Sequence, residues 1–256
     1  MNAIRAELLK LRGATVVWAT FVAFALAPLM GAVFMWIMGD PEALGRASAL
    51  GTKAEVMGIT ADRGAYFLIL SQAMGIGGIM VFGFVASWIF GREYSDGTAK
   101  DLLALPTGRA RIIHAKFIVY ALWCLAIALC NLLIGLVISQ LMDLPAGSGT
   151  LVRYVQHYLI TTALTIALGT PIAFFAIRGK GYLAPLGVIG LTLVFAQVVA
   201  AAGFGTYFPW SMPGLYSGAG GGHDLAVNAW SFVVLGLTSV LGYAATVRYW
   251  RVADQG

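Results

Sequence analysis

Six long apolar stretches separated by short polar segments set the pattern along the chain. A helix that crosses the hydrocarbon core of a bilayer needs about 20 apolar residues, and each stretch reaches that length with almost no charge. The stretches cover residues 14–38, 66–90, 116–141, 152–177, 182–202 and 225–247. The pattern predicts an all-α polytopic membrane protein of six transmembrane helices, which we number span 1 to span 6.

Composition supports this interpretation. Apolar residues make up 60% of the 256 positions and charged residues 11%, whereas soluble domains average about 45–50% and 25%. A soluble fold of this size cannot bury so much apolar side chain, because much of any globular surface faces water. We therefore expect one transmembrane domain over residues 1–256, in the plasma or inner membrane.

The first apolar stretch could also be interpreted as a signal peptide. Basic residues precede it, and the sequence Ala-Leu-Ala at residues 25–27 resembles a cleavage site. However, the stretch continues to Met38, and its length of about 25 residues exceeds the 7–15 residues of a signal-peptide core. We interpret it as a retained span.

The positions of lysine and arginine predict the orientation. With the N-terminus in the cytoplasm, twelve of the 16 cations fall on the cytoplasmic side. The other four lie outside and are Arg46, Lys53, Arg63 and Arg153. Cytoplasmic loops carry an excess of lysine and arginine, so the distribution predicts that both termini are cytoplasmic.

The spans contain almost no ionisable group. Polar character is limited to Asn131, Gln140, His157, Gln197 and a few hydroxyls. A carrier driven by protons or sodium, or an electron-transfer subunit with haem, would normally place ionisable residues within the membrane. The chain also lacks the Gly-x-x-x-x-Gly-Lys-Ser/Thr phosphate-binding loop. Any energy source is therefore expected on another polypeptide.

Small residues recur four positions apart on span 2, at Ser71, Gly75, Gly83, Ser87 and Gly91. Such spacing lets two membrane helices approach closely. The neighbouring helix could belong to the same chain or to a second copy, and the sequence leaves both alternatives open.

Residues 1–13 are predicted to form a short amphipathic helix. Ile4, Leu8 and Leu11 would share its apolar face, and Asn2 can cap its start. A helix of this kind is suited to lying in the membrane interface. As an alternative, it could simply extend span 1 into the cytosol.

Residues 91–115, between spans 2 and 3, are more structured than a simple loop. Gly97 permits a sharp turn, and Thr98-x-x-Asp101 resembles a capping box. The apolar pair Leu102 and Leu103 follows, and Pro106 ends the helix. We expect a short, stiff cytoplasmic helix that could transmit force from a soluble partner, although a basic loop of this size could also serve topology alone.

The same segment carries a resemblance to a known family. The string Glu93, Gly97, Thr98, Leu102, Leu103, Pro106 and Arg109, followed by Lys116, resembles the corresponding segment of permease subunits of type 2 ATP-binding cassette (ABC) transporters, in the bacitracin and lantibiotic-export branch. Residues 208–213, which read Phe-Pro-Trp-Ser-Met-Pro, also resemble these permeases.

This resemblance implies a transporter subunit that is not itself an enzyme. Two cytoplasmic ATPase subunits would bind ATP and magnesium, this chain would bind no cofactor and no nucleic acid, and a second permease copy or a sister permease would complete the path through the bilayer. Transport would run outward, and the apolar walls favour a lipophilic or amphipathic cargo. The residues implied in coupling to the ATPase are Glu93, Gly97, Thr98, Asp101, Leu102, Leu103, Pro106 and Arg109.

Two other functions are compatible with the same topology. The chain could be a membrane scaffold or assembly protein with a basic cytosolic loop. It could also be a membrane enzyme with a site around His157, His223 and Asp224, but the last two follow a flexible glycine-rich run, which is a poor platform for preorganised chemistry.

Overall fold

The computed structural model describes residues 3–40, 60–103, 108–219 and 227–252. These residues contain no strand, and six of their helical segments are long and apolar enough to cross a membrane. The predicted all-α architecture with six spans is confirmed. His223, Asp224, Pro106 and the side chain of Leu103 lie outside the described part of the chain.

The helices follow one another in the predicted order. Helix α1 is Ala3–Leu11 and α2, which is span 1, is Thr15–Gly39. Span 2 comprises α3 (Arg63–Gln72), a π-helical turn (Ala73–Gly77) and α4 (Gly78–Ser95); it is followed by α5 (Ala99–Leu103) and by span 3, which is α6 (Arg109–Leu141). Span 4 comprises α7 (Leu151–Ala167) and α8 (Gly169–Arg178), and span 5 is α9 (Leu183–Ala201). Two 3₁₀ turns (Gly205–Tyr207 and Pro209–Ser211) and α10 (Met212–Tyr216) precede span 6, which is α11 (Ala229–Val252).

The alternating direction of the spans gives the bundle two distinct ends. We call the end that holds α1, α5 and the last turn of span 6 the charged end. The opposite end, which holds residues 142–150 and the segment 202–218, is the distal end, and we call residues 202–218 the distal hairpin. Spans 2 and 4 lie at the centre, because 50% and 56% of their apolar windows are buried, against 17% for span 5.

Both central spans are interrupted within their length. Span 2 widens into the π-helical turn, and span 4 breaks at Leu168. Pro171 accounts for the second break, since it has no N–H and its ring clashes with the carbonyl four residues earlier. The two interruptions are neighbours, and Thr165 Oγ1 donates to the carbonyl of Met74 at 3.4 Å. A hydroxyl in the membrane thus reaches the backbone of the π-helical turn.

The small residues of span 2 pack within the chain. A Cβ atom added at Gly75 would lie 2.5 Å from the carbonyl oxygen of Pro213, and one at Gly83 would lie 2.7 Å from Ile189. At Gly91, the same atom would lie 2.6 Å from the backbone of the turn between spans 4 and 5. Of the two alternatives that the sequence left open, the structure therefore shows the intramolecular one for this stripe.

Helix α1 is separate from span 1. The helix ends before a turn at Arg12 and Gly13, and Ala14 has an extended backbone (φ −85°, ψ 120°). The predicted apolar face needs a correction, because Leu8 is 43% exposed whereas Glu7 is only 7% exposed. A carboxylate turns inward at this position because it has cationic partners in the bundle.

Candidate functional site

Four charged side chains meet at the charged end of the bundle. Glu7 and Lys10 come from α1, Glu93 from the last turns of span 2, and Lys116 from the second turn of span 3. We call these residues the ion cluster. It joins three helices that are far apart in the sequence, and its two carboxylates balance its two ammonium groups.

Lys116 lies at the centre of the ion cluster. Its side chain is almost fully buried. Its Nζ donates to Glu93 Oε1 at 2.6 Å, to the carbonyl of Ile89 at 2.9 Å and to Glu7 Oε2 at 3.2 Å. An ammonium group has three donors, so Lys116 is fully satisfied. This arrangement offsets the high cost of burying a charge.

Lys10 completes the ion cluster from the side that faces solvent. Its Nζ contacts Glu7 Oε1 at 2.6 Å and Glu93 Oε1 at 3.0 Å. Burial acts against the charged form of Lys10, but the carboxylates of Glu93 and Glu7 outweigh burial and raise the pKa of Lys10 above its ordinary 10.5. A group with a raised pKa stabilises the fold below its unfolded value and loses this effect only as the pH rises through the raised pKa. Lys10 therefore stays charged and paired at neutral pH.

Glu93 is shared between both cations through one oxygen. Its Oε1 accepts from Lys10 and Lys116, whereas its Oε2 is buried and has no hydrogen-bond partner among the described residues. A buried polar atom without a partner is costly. Glu93 is thus both the link between the cations and the least satisfied member of the ion cluster.

Arg92 adds a second connection between span 2 and α1. Its Nη1 donates to the carbonyl of Lys10 at 3.3 Å, near the end of α1 where carbonyls lack helical partners. Its Nε contacts Asp96 at 3.2 Å, and its guanidinium lies 4.8 Å from the ring of Trp88. The end of span 2 therefore holds α1 through two neighbouring residues. Glu93 forms an ion pair with Lys10, and Arg92 donates a hydrogen bond to the backbone of α1.

The segment after the ion cluster turns where the sequence predicts. Gly97 has a φ of +72°, a conformation in which any other residue is strained. Thr98 follows, and its carbonyl accepts from the N–H of Leu102 at 3.1 Å as α5 begins. Glycine at this position lets the chain reverse direction after span 2 and return toward span 3.

Helix α5 has one inward and one outward side. Ala99 is buried and Leu102 packs partly against the core, whereas Thr98, Lys100 and Asp101 are exposed. Arg109, the first residue of α6, is also exposed. Of the residues that the resemblance implies in coupling, Glu93 is therefore buried in the ion cluster, while the exposed ones face solvent beside it.

Neither Glu7 nor Lys10 was singled out from the sequence, and Lys116 was expected only at the start of span 3. Their shared site was not foreseen. One signal was present, since Glu7 lies three residues after Ile4 and four before Leu11, inside the apolar stripe of the helix. A carboxylate in such a stripe indicates a buried partner.

A polar contact in the membrane ties spans 1, 3 and 4 together. Asn131 Nδ2 donates to the carbonyl of Phe24 at 2.8 Å, and Asn131 Oδ1 accepts from the hydroxyl of Tyr158 at 3.0 Å. Hydrogen bonds between membrane helices contribute about 0.6 kcal/mol on average. The arrangement orients the three spans relative to one another, and it leaves few polar atoms of these side chains free to bind or act on a ligand.

The distal hairpin packs into the other end of the bundle. Gly203 and Gly218 have φ values of +84° and +85° and turn the chain at its two ends. Met212 and Ser217 are buried, and the N–H of Ser217 donates to the carbonyl of Pro213 at 3.0 Å. The hairpin is thus a compact element held by backbone contacts.

His157 contacts this hairpin through its ring. The imidazole stacks on Tyr216 with centroids 4.8 Å apart and an interplanar angle of 15°, and its buried Nε2 has no hydrogen-bond partner in the described part of the chain. Aromatic stacking on Tyr216 is thus the contact that the structure shows for this ring. No group of metal-ligating side chains occurs among the described residues.

Together, six apolar spans and a charged segment between spans 2 and 3 define a multi-pass protein of the plasma membrane. Residues 3–198 match the family described as ABC-2 family transporter protein. The chain belongs to this family and is a permease, the membrane subunit of a type 2 ABC transporter. The match includes the whole ion cluster and ends within span 5, before the distal hairpin.

One curated relative gives the comparison more detail. The chain is 29% identical over 181 residues to the bacitracin transport permease protein BCRB of Bacillus licheniformis. The similarity covers 69% of this chain and 85% of the relative. The branch expected from the segment around Glu93 is supported by this relative.

Proposed function

We propose that this permease couples ATP hydrolysis by a separate cytoplasmic ATPase to the outward movement of a lipophilic or amphipathic cargo. In this arrangement the charged end faces the cytoplasm, α5 contacts the ATPase, and a second permease copy or a sister permease completes the pathway. The relative is named for bacitracin transport, which supports a cargo of this class.

The observation that carries the proposal is the ion cluster next to α5. Span 2 ends at Ser95 and span 3 begins at Arg109, so α5 is attached to both through short connections. Lys116 joins the same two spans to α1 through buried ion pairs. A displacement of α5 would therefore reach three helices at once, because rigid elements joined by buried contacts move together.

The exposed side of α5 provides a surface for the partner. Lys100 and Asp101 point to solvent, while Ala99 anchors the helix on the bundle. Complementary charges at an interface select the partner and set the register of binding. ATP and magnesium would be bound by the partner, as the absent phosphate-binding loop implies.

The test is affinity purification of the tagged full-length chain, followed by mass spectrometry of captured proteins. We expect a protein with a phosphate-binding loop to accompany the chain. The exchange variant Lys100→Glu/Asp101→Lys should reduce its capture about tenfold or more, because like charges facing each other at an interface cost several kcal/mol and 1.4 kcal/mol is a factor of ten.

Arg153→Glu is the matched control, since Arg153 is an exposed cation at the distal end. It should leave capture unchanged. If wild-type protein captures no such ATPase, the coupling proposal fails and the scaffold function is favoured. If both variants reduce capture equally, α5 is not the contact surface.

A further inference from the structure

A shallow groove, open to the surroundings, lies on one face of span 6 at the charged end. Its volume is about 580 Å³. The described residues that line it are Tyr243, Ala244, Val247, Arg248, Arg251 and Val252. Because these positions recur at spacings of three and four residues, they form one continuous helical face.

Two arginines form the polar part of the groove. Arg248 and Arg251 are both exposed and lie one turn apart, so their guanidinium groups can reach the same ligand. Neither has a carboxylate partner among the described residues. The planar guanidinium group matches the oxygen atoms of a phosphate. The groove therefore offers two cations that no carboxylate of the described residues pairs with, and they are suited to a phosphate group.

The apolar part of the groove lies deeper in the membrane. Tyr243 is five residues before Arg248, which places it about 7.5 Å further along the helix. Its ring packs on Phe117 and His114 of span 3, at centroid distances of 4.8 Å and 5.9 Å. Beyond it, exposed apolar side chains continue on both spans; they are Ile118, Leu122, Val240 and Leu241. A lipid chain could lie along this surface.

We propose that the groove binds one anionic phospholipid, with its phosphate on Arg248 and Arg251 and its acyl chains beside Tyr243 along spans 3 and 6. Basic sites at the membrane surface recognise anionic head groups. A soluble anion would use the arginines alone and leave the apolar wall unoccupied. The proposal depends on the position of the charged end at a membrane surface and is independent of ATP coupling.

Native mass spectrometry of the purified full-length chain tests this site. The protein is titrated with phosphatidylglycerol or with phosphatidylcholine of the same acyl chains. We expect preferential binding of one phosphatidylglycerol molecule, and we expect Arg248→Gln/Arg251→Gln to weaken it at least about tenfold. Thermal unfolding in detergent shows whether the variant remains folded.

The control variant is Arg12→Gln/Arg178→Gln, which removes two exposed arginines from the same end of the bundle but outside the groove. It should bind phosphatidylglycerol as the wild type does. An equal loss of phosphatidylglycerol binding in both variants would overturn the proposal, because it would attribute the binding to general surface charge. If excess inorganic phosphate displaced the lipid, the proposal would also fail, because the two arginines would then bind soluble anions.

Equal binding of the two lipids by the wild type would also overturn the proposal. This comparison uses the unmodified chain, so it decides the question even if the double glutamine variant does not fold. If the wild-type chain captured no ATPase but still bound phosphatidylglycerol preferentially, the coupling proposal would fail and the lipid site would stand.

Discussion

The two ends of the bundle are held together by different interactions. At the charged end, ion pairs join α1 to spans 2 and 3 around the buried Lys116. At the distal end, the hairpin packs backbone against backbone at Gly75 and stacks Tyr216 on His157. Charges act over longer distances than contacts between packed atoms. Ion pairs at the charged end thus depend less on exact distances than does the close contact at Gly75.

Under the proposed function, in which the ATPase acts at the charged end, this difference suits the transfer of energy from one end of the bundle. A cation shared by two carboxylates can shift between them while the helices stay connected. Glu93 Oε2 is buried without a partner among the described residues, so a second arrangement of the ion cluster could satisfy it. Tight packing at the distal end would oppose opening until the spans move.

The largest effect is expected from breaking the ion cluster. Lys116→Met retains most of the side-chain volume but leaves Glu93 with only one cation and removes one contact of Glu7. Removing one partner from a buried ion pair costs about 3–5 kcal/mol. We expect a large loss of thermal stability in detergent, whereas Lys100→Met, which removes an exposed cation of α5, should change stability by less than about 0.5 kcal/mol.

A double variant sharpens this test. Lys116→Met/Glu93→Leu removes one charge of each sign and leaves the pair of Glu7 and Lys10 intact. Apolar replacement of a buried ion pair is often neutral, so the double variant should recover at least half of the stability lost in Lys116→Met. Under the proposed function it would fold but couple ATP hydrolysis poorly. Additive losses would show that Lys116 and Glu93 do not act as a pair.

A smaller effect is expected from disturbing the contact between span 2 and the distal hairpin. Gly75→Ala places a methyl group 2.5 Å from the carbonyl oxygen of Pro213. Overpacking of this kind costs about 1–3 kcal/mol. We expect a lower unfolding temperature and faster proteolysis of the distal hairpin.

Gly77→Ala is the matched control for this substitution. Gly77 belongs to the same π-helical turn and has open space where a Cβ atom would be added. Alanine is also more favourable than glycine in a helix by up to about 1 kcal/mol. Gly77→Ala should therefore be neutral or stabilising. Equal losses in both variants would indicate that the π-helical turn itself, and not its contact with Pro213, tolerates no side chain.

The features that the sequence predicted are local ones. The number of spans follows from the length and polarity of each stretch, and the turn at Gly97 follows from the residue type. The position of α5 between spans 2 and 3 could likewise be predicted from the order of residues alone. Each of these conclusions depends on neighbours along the chain.

The ion cluster depends on partners distant in the chain. Glu7 and Lys116 are 109 positions apart, and no local pattern relates them. The same limit explains the stripe of small residues on span 2, because its spacing shows that a helix packs closely but not which one. Gly75, Gly83 and Gly91 contact three different segments of the chain.

The smallest effect is expected from His157→Phe at the distal end. Phenylalanine keeps a ring to stack on Tyr216 and removes the buried Nε2, which has no hydrogen-bond partner among the described residues. An aromatic pair contributes about 0.5–1.5 kcal/mol beyond its buried area, and an unsatisfied buried group is costly. Stability should therefore stay within about 0.5 kcal/mol of wild type or rise, whereas His157→Ala, which loses the stack, should be clearly less stable. Transport should be retained in His157→Phe, because the imidazole serves packing here and not chemistry. Loss of transport in a folded His157→Phe protein would contradict this assignment and return His157 to the residues of a chemical site.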